Sequence, residues 1–345
     1  MRIGSNNLAY PFEERPEPAQ KIEVATGVYW LRMPLPISLN HINLWLLDDH
    51  DGWTIVDTGM STDETKMLWE SLLENQLDSK PVKRVIGTHM HLDHIGLAGW
   101  LCRKCEVDLW MPRSEYLSCR VFSSEMKEDP SIETVEFYKA AGFRHDELAV
   151  FRDRFQARSQ FMTSMPTSYR QIKDHEQITI GEHEWTVMVG SGHSPEHACL
   201  YCKDLNLLIA GDQILPRITP NVSVRPDQPQ GNPLKEWLDS CHRFKNRIDK
   251  TVLILPSHGD PFYGAPLRIQ EIIDDHEHAL ARLHENCNTP QRVVDVFPAL
   301  FKGKVEDHNL VIGTCEALAH LNYLLERQQL QMFVENNGVK RFQQC

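Results

Sequence analysis

With 345 residues, 41% of them hydrophobic and 24% charged, the chain has the composition of a globular protein with a sizeable core, in one large domain with an addition or in two. A net charge of −12 and the lack of any dense Lys/Arg run weigh against nucleic acid as a partner. No stretch approaches the roughly 18 apolar residues of a membrane span, and the polar, Pro-rich residues 1–20 lack the apolar centre of an export signal, so a cytoplasmic location without membrane contact is expected.

Residues 22–57 read as a β-meander, IEVATGVYWLRM, HINLWLLDD and GWTIVDTG, divided by Gly and Asp turns. A helix is expected from about Ser61, with Met67, Leu68, Leu72 and Leu73 as its apolar positions. The short buried strand VKRVIGT then runs into His89, a helix starts near Gly96, and EVDLWMP is a further strand. Residues 112–176 break the rhythm. They are charged and helical, punctuated by Pro130 and Pro166, and read as an inserted cap over the core, with Phe161, Met162, Met165 and Tyr169 expected toward the pocket.

Strands resume with QITIGEHEWTVMVG, ACLYC and LNLLIAGD, followed by a helix over 234–248 and the strand TVLILPSH. From Gly264 the character turns helical. Ala317, Leu318, Leu321, Leu324 and Leu325 share one face of the last helix, and QMFVENNGVKRF reads as a hairpin around Asn-Gly. Domain limits of 1–262 and 263–345 follow, the second a small helical, winged-helix-like tail. The nine cysteines fit reduced thiols. The pairs Cys102/Cys105 and Cys199/Cys202 are too far apart in sequence for a zinc ribbon, and residues three apart on a strand such as ACLYC face opposite sides.

The strongest signal is Thr88-His89-Met90-His91-Leu92-Asp93-His94. A segment leaving a buried strand and turning toward a helix can aim His89 and His91 at one point and Asp93 and His94 at a neighbouring one, so it can serve two metals. HxHxDH after a short strand resembles the signature of the metallo-β-lactamase superfamily. The expected companions follow in order: Asp57 in VDTG, His193 in GSGHSPEH (similar to the GHTPGH segment of glyoxalase II and acyl-homoserine lactonases), Asp212 ending LLIAGD and His258 ending LILPSH.

The resemblance covers about residues 20–262 and implies an αββα sandwich. It implies one metal on His89, His91 and His193, a second on Asp93, His94 and His258, and Asp212 bridging both. Two zinc ions suit these ligands, with iron or manganese as substitutes. Asp57 resembles an acceptor holding a metal-bound His, and His197 a residue that orients its loop. Such metals make a hydroxide at neutral pH that attacks a carbonyl, with Asp93 as the catalytic residue orienting it and passing a proton to the leaving atom.

The implied activity is hydrolysis of a small-molecule ester or thioester with an anionic tail. Alternatives are a lactonase, although QILPRITPN after Asp212 lacks the nearby Tyr of those enzymes, and an endoribonuclease acting on single-stranded RNA, whose relatives carry a similar tail. The segment PRITPNVSVRP should run as a loop along the pocket rim, placing Arg217, Arg225 and Asn221 toward substrate. His41 is expected at the pocket edge. The tail is expected to shape the pocket or a homodimer contact and not to read DNA, because residues 314–326 contain no Lys or Arg.

Overall fold

The computed structural model describes residues 2–125, 129–306 and 309–345, so residues 126–128 of the expected insert and 307–308 of the expected tail lie outside it. A small antiparallel pair, β1 (Arg2–Ile3) and β2 (Ala9–Tyr10), starts the chain. The first main sheet begins with β3 (Ile22–Ala25), β4 (Val28–Pro34), β5 (His41–Asp48) and β6 (Trp53–Val56), each antiparallel to the last, as a meander requires. It continues through β7 (Val82–Ile86), β8 (Leu109–Met111) and β9 (Arg170–Gln171), now parallel.

The change of direction follows from the connections. Parallel neighbours need long crossovers, supplied first by α1 (Asp63–Asn75) and then by α2 (Leu92–Ile95) and α3 (Ala98–Cys105). The third crossover, into β9, runs through α4 (Arg113–Glu125), α5 (Ile132–Ala141) and α6 (His145–Ala157). The second main sheet contains β10 (Gln177–Ile180), β11 (His183–Gly190), β12 (His197–Cys202), β13 (Leu207–Gly211) and β14 (Leu253–Pro256), in that order. Here α7 (Pro233–Arg247) crosses over to the parallel β13–β14 pair.

Trp30, Trp45, Trp185, Leu200 and Leu255 fill the space between the sheets. Leu44, Ile55, Trp69 and Leu101 bind the first sheet to α1 and α3, and Leu208, Trp237 and Ile254 bind the second to α7. These are the four layers of an αββα sandwich. Strand periodicity shows in β12, where Cys199 joins the outer core and Cys202 the inter-sheet core. All nine cysteines are unpaired.

Two expectations need correction. Helix α1 is capped by Thr62, whose hydroxyl accepts the Thr65 N–H at 3.1 Å, and it buries Thr65, Trp69 and Leu72. Met67 is 62% exposed, because at about 100° per residue it lies far around the helix from Trp69. The insert also ends earlier than residue 176. Arg170–Gln171 pair with Trp110–Met111 at the sheet edge, and Ile172 is buried between the sheets.

The insert is tied to the core near its C-terminal end. Met162 and Met165 are buried, and Phe161 partly so, in the cluster that holds Leu97 and Leu101. The Ser61 and Thr163 N–H groups donate to the Phe161 and Gly96 carbonyls at 3.0 and 2.8 Å. Earlier in the insert, Val135, Tyr138 and Phe151 of α5 and α6 share a core with the C-terminal helices α8 (Ala265–Asn286), α9 (Phe297–Leu300) and α10 (Leu310–Glu326).

On α10, Ala317, Leu318, Leu321 and Leu324 are buried, with Leu325 at the core margin. The hairpin of β15 (Leu330–Val334) and β16 (Lys340–Gln344) follows, its Asn337-Gly338 turn using a Gly φ of +87°. Among the described residues, no helix is long and apolar enough to cross a membrane.

Candidate metal centre

Strand β7 ends at Ile86, and residues 87–91 turn into α2, whose N-cap His91 has an extended backbone, ψ 147°. Facing this turn are the ends of three strands of the second sheet. His193 follows β11, Asp212 follows β13 and His258 follows β14. Two groups result: His89, His91, His193 and Asp212, and Asp93, His94 and His258. The candidate ligand atoms within each group lie no more than 4.8 Å apart.

Asp212 joins the two groups. Its Oδ2 lies 3.4 Å from His193 Nε2, and its Oδ1 lies 3.5 Å from His94 Nε2 and 3.6 Å from His258 Nε2. In the first group, His89 Nε2 is 2.9 Å from His91 Nδ1 and 3.2 Å from His193 Nε2. In the second, Asp93 Oδ2 is 3.3 Å from His258 Nε2 and 3.6 Å from His94 Nε2.

The side chains fit cations. His94 Nε2, His258 Nε2 and Asp212 Oδ1 are buried without a hydrogen-bond partner. Polar atoms left so would be costly, and a shared positive ion satisfies all three. Imidazole and carboxylate donors in this ratio suit zinc, and also iron or manganese.

Protonation agrees with that fit. Burial, reinforced by neighbouring imidazoles, pushes His89 well below its ordinary range; burial and His193 take His91 to about 3, so both are neutral as ligands must be. Burial would depress His94 too, but Asp212, Asp93 and Asp57 together raise it well above its ordinary value. His258 is likewise raised against burial by Asp212 and Asp93. Burial favours the neutral acid at Asp93 and Asp212, yet His94 and His258 hold the former at about 2 and the latter well below the carboxylate range. Protons on the second group thus stand where a cation would.

The far ring nitrogens are anchored, which fixes the inward ones. His94 Nδ1–H donates to Asp57 Oδ2 at 2.8 Å, and Asp57 also accepts the Thr88 N–H and hydroxyl, each at 2.8 Å. Asp57 holds this position with a left-handed φ of +61°, which a short polar side chain tolerates. With its proton given to Asp57, Thr88 Oγ1 accepts from His89 Nδ1 at 3.0 Å. His193 Nδ1–H donates to the Asn221 carbonyl at 2.7 Å, and His258 Nδ1–H to the His41 carbonyl at 2.9 Å.

His197 stands outside both groups. Its Nε2 accepts the Asp212 N–H at 3.0 Å, and burial keeps the ring neutral for that role. The ring comes so close that a Cβ at Gly211, φ +52°, would lie 2.5 Å from it.

The residues expected at the substrate are placed differently from one another. His41 is half-buried and uses Nε2 to accept the Gly259 N–H at 2.9 Å, so with its carbonyl on His258 it orients a ligand. The Asn221 amide is likewise engaged, donating to Glu316 Oε2 at 2.8 Å. Tyr169 stacks on Tyr116 at 3.7 Å between ring centres and packs on the core. The loop carrying Arg217 and Arg225 has no regular structure, as expected. Arg225 pairs with Asp227 and directs Nη1 to Met90 Sδ at 2.8 Å, beside the ligand turn. Arg217 is exposed and, among the described residues, pairs with no acid.

Two residues escaped the sequence. Glu115, fully buried on α4, accepts the Met90 N–H at 2.9 Å and the Glu196 N–H at 2.7 Å, joining two ligand-bearing loops. In a helix rich in charge, nothing marked it. Glu316 is different: it is the one charged residue between Leu310 and Leu325 of α10, and a lone acid on an apolar helix was a signal.

A fold of this kind with these residue groups defines a class. A sequence model of the Metallo-beta-lactamase superfamily matches residues 38–282, and the chain belongs to that superfamily. A model of a metallo-beta-lactamase-like C-terminal domain matches residues 280–345, and α8 spans the junction. Among particular relatives, the solved structure of a beta-lactamase domain protein from Burkholderia ambifaria is 36% identical, with a TM-score of 0.91 and 98% of each chain covered. The probable metallo-hydrolase YqjP of Bacillus subtilis (strain 168) is 24% identical over 90% of this chain and 95% of its own. The acyl-coenzyme A thioesterase MBLAC2 of Homo sapiens is 23% identical over 68% of this chain and 79% of its own.

Proposed function

We propose that this protein is a binuclear zinc hydrolase of small-molecule esters or thioesters, acyl-CoA thioesters foremost. The observation that carries the reading is Asp212, whose two oxygens face the two ligand groups. Bound there, zinc supplies Lewis acidity and makes water acidic enough to be a nucleophile at neutral pH.

The chain's own residues do the rest. Asp57, Asn221 and His41 fix the imidazoles through their outer nitrogens. Asp93 reaches the site from the first turn of α2 with its side chain 17% exposed, against 9% for Asp212. It is therefore the carboxylate that substrate meets, suited to take a proton from water and pass it to the leaving atom. The likeness to MBLAC2 supports a thioester. The burial of α10 weighs against RNA, since the helix is packed into the core and offers no basic face.

Zinc-loaded protein assayed against acyl-CoA, acyl-glutathione, a neutral ester, a lactone, a β-lactam and single-stranded RNA decides the matter. A thioester should lead in kcat/KM by at least about tenfold, or 1.4 kcal/mol of barrier. A lactone or RNA in the lead overturns the reading.

A further inference from the structure

Near His258, three guanidinium groups converge on one carboxylate. Asp260, two residues past the ligand, is buried and accepts Arg15 Nε at 2.7 Å and Nη2 at 2.9 Å, with Arg2 Nη2 at 3.4 Å. Arg32, on β4, reaches only 3.8 Å from Asp260 with its Nη1, beyond a hydrogen bond. Its side chain is 19% exposed, and that Nη1 is buried without a partner. Burial and then the charge of Arg15 push Arg32 below its ordinary value.

The balance of charge is unusual. Three cations face one anion, in a chain whose net charge is −12. The nearby His41 does not offset them. Its Nε2 is committed to the Gly259 N–H. A structural clamp between the N-terminal segment and Asp260 needs only Arg15, whose bidentate pair is complete. Arg32 adds repulsion with Arg15 and a buried, unused donor, while Arg2 gives Asp260 one long bond from a half-exposed side chain, and a second anion would satisfy both. Planar guanidinium donors in this number match the oxygens of a phosphate group.

The geometry points to an anion site formed by Arg2, Arg15 and Arg32 that takes a phosphate group. Resting on the thioesterase reading, we assign it to the phosphate-bearing end of the substrate's CoA moiety. The His41 carbonyl, bonded to His258 Nδ1, and Asp260, two residues past His258, put the patch next to a residue of the metal centre.

Calorimetric titration of the zinc-loaded protein with inorganic phosphate tests the site without reference to turnover. Arg32→Met should weaken binding at least about tenfold while leaving the melting temperature unchanged or higher, since a largely buried charge that Arg15 repels and Asp260 meets only at 3.8 Å is removed. Phosphate held by the metals would bind wild type and variant alike, so equal affinities overturn the proposal. Arg15→Met serves as a second variant, and retained phosphate binding in both overturns it as well.

The source of the phosphate is read from KM. A rise of about tenfold for acyl-CoA in Arg32→Met, with no change for the acyl N-acetylcysteamine thioester, identifies the substrate's own phosphate. Weakened phosphate binding with both KM values unchanged identifies a free-anion site. If no thioester is hydrolysed, the thioesterase reading fails and the titration still stands.

Discussion

Replacing Asp212 with alanine is expected to leave the chain folded, lower bound metal from two ions per chain to one at most, and cut hydrolysis by at least about 100-fold. Its two oxygens address both ligand groups, and Oδ1 is among the buried atoms without a partner. The ligand turn should survive, because Asp57, Thr88 and Glu115 hold it through bonds that do not pass through Asp212. Asp93→Ala should lose turnover on the same scale while keeping the ion of the first group. Ser257→Ala is the control, since Ser257 works through its backbone: its N–H donates to the Gly211 carbonyl at 3.0 Å and its carbonyl accepts the Asn43 N–H at 2.7 Å. Elemental analysis and thioester turnover measure both quantities. Two ions and full activity in Asp212→Ala would reject a shared site.

What the sequence disclosed follows a physical divide. The residues at 89–94 were legible because a strand end and a helix start impose their directions locally. The meander and the hairpin turn were legible for the same reason. Distant pairings were not. Nothing local tells that Arg170–Gln171 will join the first sheet, since two residues make too short a pattern. The apolar face of α1 is set by Trp69, which is buried, and Met67, although apolar, lies outside it.

The arginines follow the same divide. Arg217 and Arg225 drew attention by following Asp212 in sequence, whereas Arg2, Arg15 and Arg32 come together only through the fold. For Asn221 and His41 the sequence displays a polar side chain suited to substrate, while the group that acts at the site is the carbonyl. Their carbonyls hold two ligands, a role any residue's backbone can fill and no sequence can advertise.

Glu316 is where the C-terminal helix should be felt at the metals. It accepts the Asn221 amide at 2.8 Å, the Ser223 hydroxyl also bonds Asn221, and the Asn221 carbonyl accepts His193 Nδ1–H at 2.7 Å. Glu316→Leu removes the first of these bonds and should weaken metal binding by about 10- to 100-fold, the usual scale for a residue behind a ligand. Glu316→Gln keeps an oxygen to accept the Asn221 amide and should remain close to wild type. Competition with a chromophoric chelator measures the affinity directly, and equal affinities in Leu and wild type would show that α10 packs without positioning His193. A pH signature separates this from general damage. Burial, only partly offset by the Asn221 bond, raises the Glu316 carboxyl from 4.5 to about 7. A group that holds its proton more tightly when folded contributes stability below its unfolded value and loses it as pH rises through the folded one. Thermal unfolding of wild type should therefore show a loss of stability between about pH 4.5 and 7 that is absent from Glu316→Gln.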